Sequence, residues 1–316
     1  MKHNIKVTGL ILLLFVLTQL IGLFVIDAFS PKTTAQIVNG TSVNVTTSLE
    51  IPYGMQPPEA PADVSFGSVA ISFVIAIAIF ILLMKIKAKS LFRVWFTVVV
   101  FLTISIAVTA ILTKVFPHSI IRFDVVAMIL AVPLTFYKVF KRDILVHNAT
   151  ELLIYPGIAA VFVPLLRVWS VLILLALISA YDIYAVWKSS LMMKMVKFNI
   201  QKVGILPGLF IPYMRKEDMV KLRAARKIKT VKARTAKLKK MKVAVAMLGG
   251  GDIAFSLIFA GVIYRSAGII PALIAIACST LALMFLFLYS RKGKMYPAMP
   301  YITVGCIIAY LITLLL

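Results

Sequence analysis

Carboxylates are scarce in this chain. Its 316 residues carry 11 Asp+Glu against 34 Lys+Arg, a formal net charge of +23. An acidic, solvated chain is excluded, and each carboxylate becomes informative. Cysteine is scarcer still. Cys278 and Cys306 are the only two, and both lie inside apolar runs. A disulfide scaffold is excluded; the two read as small core residues that carry no information on redox compartment. The three histidines (His3, His118 and His147) lie near the ends of apolar runs and form no metal-ligand cluster. No metal or organic cofactor is implied. A basic excess can signal nucleic acid, but here the Lys and Arg flank apolar runs, as cytoplasmic loops do. Nucleic acid is therefore set aside as a partner.

What the chain has in abundance is apolar length. It is 62% hydrophobic, with a mean hydropathy of +1.02. Soluble domains are only about 45–50% apolar. The fold class read from this is an all-α polytopic membrane protein, in contact with membrane lipids throughout. Apolar runs fall at 7–29, 66–84, 91–115, 121–140, 144–166, 168–187, 243–263, 267–289 and 296–316. Each is near the roughly 20 residues that cross a bilayer, so nine transmembrane helices are expected. The break at Pro164–Arg167 is required, because residues 144–187 as one helix would span about 66 Å, twice a hydrocarbon core. The first run is longer than a signal-peptide core of about 7–15 residues and has no A-x-A site after it, so it reads as an uncleaved helix.

Orientation follows from the basic residues. With the N-terminus cytoplasmic, 29 of the Lys and Arg fall inside and five outside (Lys32, Lys114, Arg122, Arg167 and Arg265). That split puts the N-terminus in the cytoplasm and the C-terminus outside. The polar loop 30–65 then faces outward, as its sequons at Asn39 and Asn44 also suggest. The chain divides into helices one to six (1–188), a basic cytoplasmic loop (189–242) and helices seven to nine (243–316). Within the loop, 198–213 reads as irregular and membrane-associated, a candidate gate, and 214–241 as a basic amphipathic helix on anionic lipid, with a regulatory or autoprocessing role as the alternative. The chain shows no internal repeat of the kind that builds inverted transporter halves.

Nine of the eleven acids fall in loops or within a turn or two of a span end; Asp182 and Asp252 sit deeper. A carboxylate at mid-membrane costs roughly 2.5–3.5 kcal/mol. The glycines before Asp252 (Gly249, Gly250 and Gly251) weaken a helix by about 1 kcal/mol each. Function is the default reason for retaining such a feature. Asp182 lies six residues, about 9 Å, from the inner end of its span. Asp252 lies ten residues, about 15 Å, from the same face. Two carboxylates that meet in a low dielectric cannot both ionise; they share one proton. Such a pair suits a reaction in which one takes a proton from water while the other polarises a carbonyl. On burial alone, the pair equally suits a transporter's ion or proton site, or a structural hydrogen-bonded pair.

Three short motifs decide between these. Tyr181-Asp182 lies in the sixth run, Gly249-Gly250-Gly251-Asp252 in the seventh, and Pro297-Ala298-Met299 opens the ninth. In this order they resemble the YD, GxGD and PAL motifs of the presenilin and signal peptide peptidase family, and the span plan of the whole chain resembles it too. The resemblance implies a prokaryotic or archaeal homologue: an intramembrane aspartyl endopeptidase with nine helices. It implies that Asp182 and Asp252 are catalytic and that the other seven motif residues line the site or hold substrate. Substrates would be transmembrane segments, such as signal-peptide remnants. Met299 departs from leucine, a change close in volume. A literal Pro271-Ala272-Leu273 falls at the outer end of its span, away from the aspartates, and is rejected. The orientation is that of presenilins; signal peptide peptidases are inverted. Prepilin peptidases share GxGD but place their first aspartate near the N-terminus, whereas the YD motif here lies in the sixth run.

Each motif also has a plainer reading. The glycines permit close helix packing, Tyr181 is an aromatic in a core, and Pro297 suits a helix's first turn. The alternative function is a proton- or cation-coupled transporter using the same two acids, and a third reading is a non-catalytic scaffold. The expected location is the cell membrane. Activity is expected without obligatory partner subunits, and homo-oligomerisation is left open.

Overall fold

The computed structural model describes residues 5–38, 41–47, 51–52, 71, 75, 78, 89–117, 121–141, 143–187, 208–213, 244–290 and 296–315. Apart from residues 71, 75 and 78, the second expected span lies outside the described residues, as does the basic helix at 214–241. The helices are α1 (Ile5–Phe29), α2 (Lys89–Val115), α3 (Phe123–Phe140), α4 (Ile144–Phe162), α5 (Val168–Trp187), α6 (Gly250–Ala267), α7 (Ile269–Tyr289) and α8 (Met299–Leu315). A 3₁₀ turn at Val163–Leu165 separates α4 from α5, where Pro164 had marked a break.

Helices form because hydrocarbon offers no partner for backbone N–H and C=O groups, which must bond internally. Six of the described helices are long and apolar enough to cross a bilayer. The distribution of side chains fits that solvent. Leu13, Trp95, Ile129, Phe285 and Leu311 are exposed, while Thr18, Gln19, Ser105, Glu151, Ser256 and Thr303 are buried. The core runs through α1, α4, α5, α6, α7 and α8, with Phe15, Leu175, Leu257, Phe259 and Ile302 at its centre. α1 packs on both α4 and α6, and α8 packs on α5, α6 and α7. Near the C-terminal end of α1, Asp27 pairs with Lys114 of α2 and accepts the hydroxyl of Tyr264 of α6, which fastens three helices together.

Two short sheets depart from the purely helical expectation. β1 (Lys32–Val38) and β2 (Thr41–Thr47) form an antiparallel pair inside the segment read as a loop. β3 (Gly208–Tyr213) and β4 (Ala244–Gly249) form a second pair, with Gly208 opposite Gly249 and Tyr213 opposite Ala244. This second sheet corrects two expectations. Residues 208–213 are a strand rather than irregular chain, and the helix expected over 243–263 starts only at Gly250. The run Ala244–Gly249 is apolar enough for either state. Its partner strand, about 36 residues away in sequence, supplies the backbone bonds that a helix would have supplied. Leu209, Ile211, Ala246 and Leu248 turn into the core while Met247 and Pro212 turn away, the period-two alternation of a strand.

Candidate active site

α5 carries Asp182 in its last two turns, partly buried. Its carboxylate is held from across the bundle. The N–H of Met299, first residue of α8, donates to Asp182 Oδ2 at 3.2 Å, and the N–H of Ala298 also bonds this carboxylate. The free N–H groups at a helix start are a natural seat for an anion. One turn earlier, Ser179 and Thr303 are hydrogen-bonded at 2.7 Å, and the Thr303 hydroxyl lies 3.4 Å from the Leu175 carbonyl. These bonds set α8 against α5 at the level where Asp182 meets the α8 N-terminus.

Asp252 sits in the first turn of α6. Gly249 is the N-cap, so Asp252 is the third helical residue. From that position its side chain reaches back to the Gly249 N–H, half of a capping box. A β-carbon on Gly249 would stand 2.9 Å from Asp252 Oδ2, so a side chain there would displace the carboxylate. The acid therefore lies at the positive end of the α6 dipole, which favours negative charge. Asp182 lies close enough to bear on its charge. Both acids are part-buried, and Leu209, Leu248, Ile253 and Met299 belong to the buried apolar core of the bundle.

The fold thus brings all three motifs to one place. Tyr181 is partly exposed beside Asp182, Gly250 is buried and Gly251 is exposed. Pro297 is buried, but it lies two residues ahead of α8; Pro300, the second residue of that helix, takes the first-turn place expected of Pro297.

The model of the family described as signal-peptide peptidase, presenilin aspartyl protease matches residues 36–316. The chain belongs to that family. It is an intramembrane aspartyl protease, a multi-pass membrane protein that acts on peptide substrates. Two solved structures of a presenilin family intramembrane aspartate protease share its fold. In the C222 crystal form the TM-score is 0.57 at 17% identity, with 98% of each chain covered. In the P2 form it is 0.58 at 17% identity, with 99% of this chain and 98% of that one covered. No curated protein matches the chain.

Motif reading missed part of this presenilin-family protease's polar core. Glu151 is buried and ion-paired with Lys138 of α3, although its place near a span end had set it aside. Tyr155 has a buried hydroxyl with no well-formed hydrogen bond, among Glu151, Gly208 and Asp252. Gln19 of α1 donates to the Ile253 carbonyl at 3.2 Å and meets Ser256 Oγ at 2.6 Å, tying α1 to the first turns of α6. The signal available in the sequence was the spacing His147, Glu151 and Tyr155, which puts the three on one helix face.

The role of the α8 N-terminus can be isolated. Met299→Pro removes the N–H that serves Asp182 at a helical position where proline is tolerated. Hydrogen bonds to charged groups contribute about 1.5–3 kcal/mol, so peptide cleavage should fall by roughly 10- to 100-fold. Met299→Leu keeps the N–H and nearly the volume, and should stay within about threefold of wild type. Steady-state cleavage rates of the two purified variants check this.

Proposed function

We propose that Asp182 and Asp252 are the catalytic pair of this protease and that its substrates are transmembrane helices, signal-peptide remnants among them. The observation that carries this is that two part-buried acids, one held by the Met299 N–H at the start of α8 and the other in the first turn of α6, lie within electrostatic reach of one another. Between them they hold one proton. The ionised carboxylate takes a proton from water as its oxygen attacks the scissile carbonyl carbon, and the protonated acid donates to the carbonyl oxygen. The tetrahedral diol then collapses. Its C–N bond breaks, the amine leaves with a proton, and the pair ends with the single proton it began with.

A helical substrate hides its peptide bonds in its own hydrogen bonds and must unwind to be cut. Among the described residues β4 pairs on one edge only, with β3. Its other edge leads to Gly249 and Asp252 and suits an extended substrate strand, held by main-chain bonds. The exposed Gly251 leaves room for that backbone beside Asp252. Tyr181, Gly249, Gly250, Pro297, Ala298 and Met299 complete the lining.

Nine apolar runs of bilayer length support nine spans in the cell membrane, and the basic-residue split supports a cytoplasmic N-terminus and a C-terminus outside. The test is incubation of a labelled transmembrane peptide with detergent-purified protein. Two product peptides whose masses add up to substrate plus one water are expected. Ion or proton flux in proteoliposomes without any cleavage would favour the transporter reading instead.

A further inference from the structure

Three ionisable side chains that the proposed chemistry does not use are packed together at the inner ends of α3 and α4. Lys138 and Glu151 are ion-paired, their side chains 2% and 1% exposed. Lys138 Nζ also lies 3.2 Å from His147 Nδ1, and His147 Nε2 lies 2.8 Å from the Gly208 carbonyl oxygen. An ammonium only donates and a carbonyl only accepts. Nδ1 must therefore accept and Nε2 must carry the proton, which specifies one neutral tautomer of the imidazole.

The neighbouring residue adds a second hold on the same strand. Asn148 Nδ2 donates to the Phe210 carbonyl at 2.7 Å, and Asn148 Oδ1 accepts from the Phe210 N–H at 2.9 Å. The His147 ring packs on the Phe210 ring, centroids 4.8 Å apart. The first turns of α4, capped by Asp143 through the N–H groups of Leu145 and Val146, thus serve β3 as an additional edge.

A buried Lys–Glu pair is a poor source of stability, because desolvation offsets the attraction and apolar residues of similar size often do as well. What apolar residues could not do is hold His147 as a donor toward Gly208. Nor is the cluster needed as a proton source, since hydrolysis leaves the acid pair with the proton it began with. Gly208 stands opposite Gly249, whose N–H holds Asp252. We infer that Lys138, His147 and Glu151 are positioning residues for the reaction: His147 fixes β3 at Gly208, β3 fixes β4 at Gly249, and Gly249 sets the carboxylate of Asp252. This rests on Asp252 belonging to the catalytic pair.

The test compares full-length wild type, His147→Phe, His147→Gln, the double variant Lys138→Met/Glu151→Leu, and Asp252→Asn. Each is scored for kcat and KM on a labelled transmembrane peptide and for amide hydrogen exchange over residues 244–251. Phe fills the ring's volume without donor or acceptor. Gln restores both, its amide N–H toward Gly208 and its oxygen toward Lys138. His147→Phe should lower kcat by about tenfold or more and speed exchange in β4, and His147→Gln should recover most of both. The double variant keeps the packing, loses the tautomer control, and should behave like His147→Phe. A merely structural role would lower Tm in all three and leave the kcat of folded protein unchanged. Unchanged kcat and exchange in both His147→Phe and the double variant, with Asp252→Asn silent, would overturn the inference and leave the catalytic pair standing. Cleavage by Asp252→Asn would remove both.

Discussion

Asp252→Asn is expected to lower kcat by about 10³-fold or more, within the range that general acid–base groups supply. The substitution is clean in this setting. The asparagine oxygen can still accept the Gly249 N–H that holds the native carboxylate, and the side chain is nearly the same size. What is lost is the ability to take up and release a proton. Asp182→Asn should do equal damage, because its amide oxygen likewise still accepts from Met299 while the proton exchange is gone. The sharper expectation concerns the double variant. Two groups that share one proton act as a unit, so Asp182→Asn/Asp252→Asn should be no slower than either single variant. Multiplicative losses would mean independent roles. Retained cleavage by either single variant would remove the pair from the mechanism. Thermal unfolding of all three alongside wild type separates lost chemistry from lost fold.

Gly208→Ala is expected to cost about 100-fold in kcat/KM, a loss that an ångström of misplacement at a reacting group can produce. Gly208 has φ +129°, a conformation that L-residues rarely adopt, and a β-carbon there would collide with the Leu248 carbonyl. That carbonyl belongs to β4 one residue before Gly249, so relief of the collision must move the strand that sets Asp252. Gly268 provides the control. It has φ +91° at the junction of α6 and α7, and a β-carbon there would meet nothing within 4 Å. Gly268→Ala should carry a comparable backbone strain of about 1–3 kcal/mol, visible as a lower Tm, and leave the cleavage rate of folded protein unchanged. Equal loss of cleavage in the two variants would show that activity simply follows global stability. Full activity in Gly208→Ala would show that the sheet does not position the acid.

The amino-acid sequence by itself determined the solvent of this protein and its chemistry. Apolar runs of bilayer length are a local property, and so is the clustering of Lys and Arg at their ends. The boundaries of α3 (Phe123–Phe140) and α5 (Val168–Trp187) follow the apolar runs almost to the residue. The three motifs identified the family because residue type, order and span were all visible along the chain. Tertiary structure decided the rest, for a common physical reason. Whether Ala244–Gly249 is helix or strand depends on a partner at 208–213, and either state satisfies an apolar segment. That Ala298 and Met299 serve Asp182 with their backbone N–H groups, rather than with side chains, depends on where α8 begins relative to α5. The burial of Lys138, His147 and Glu151 depends on α3 meeting α4 at a strand from elsewhere in the chain. Each is a pairing between distant segments, and its free energy appears only when those segments come together.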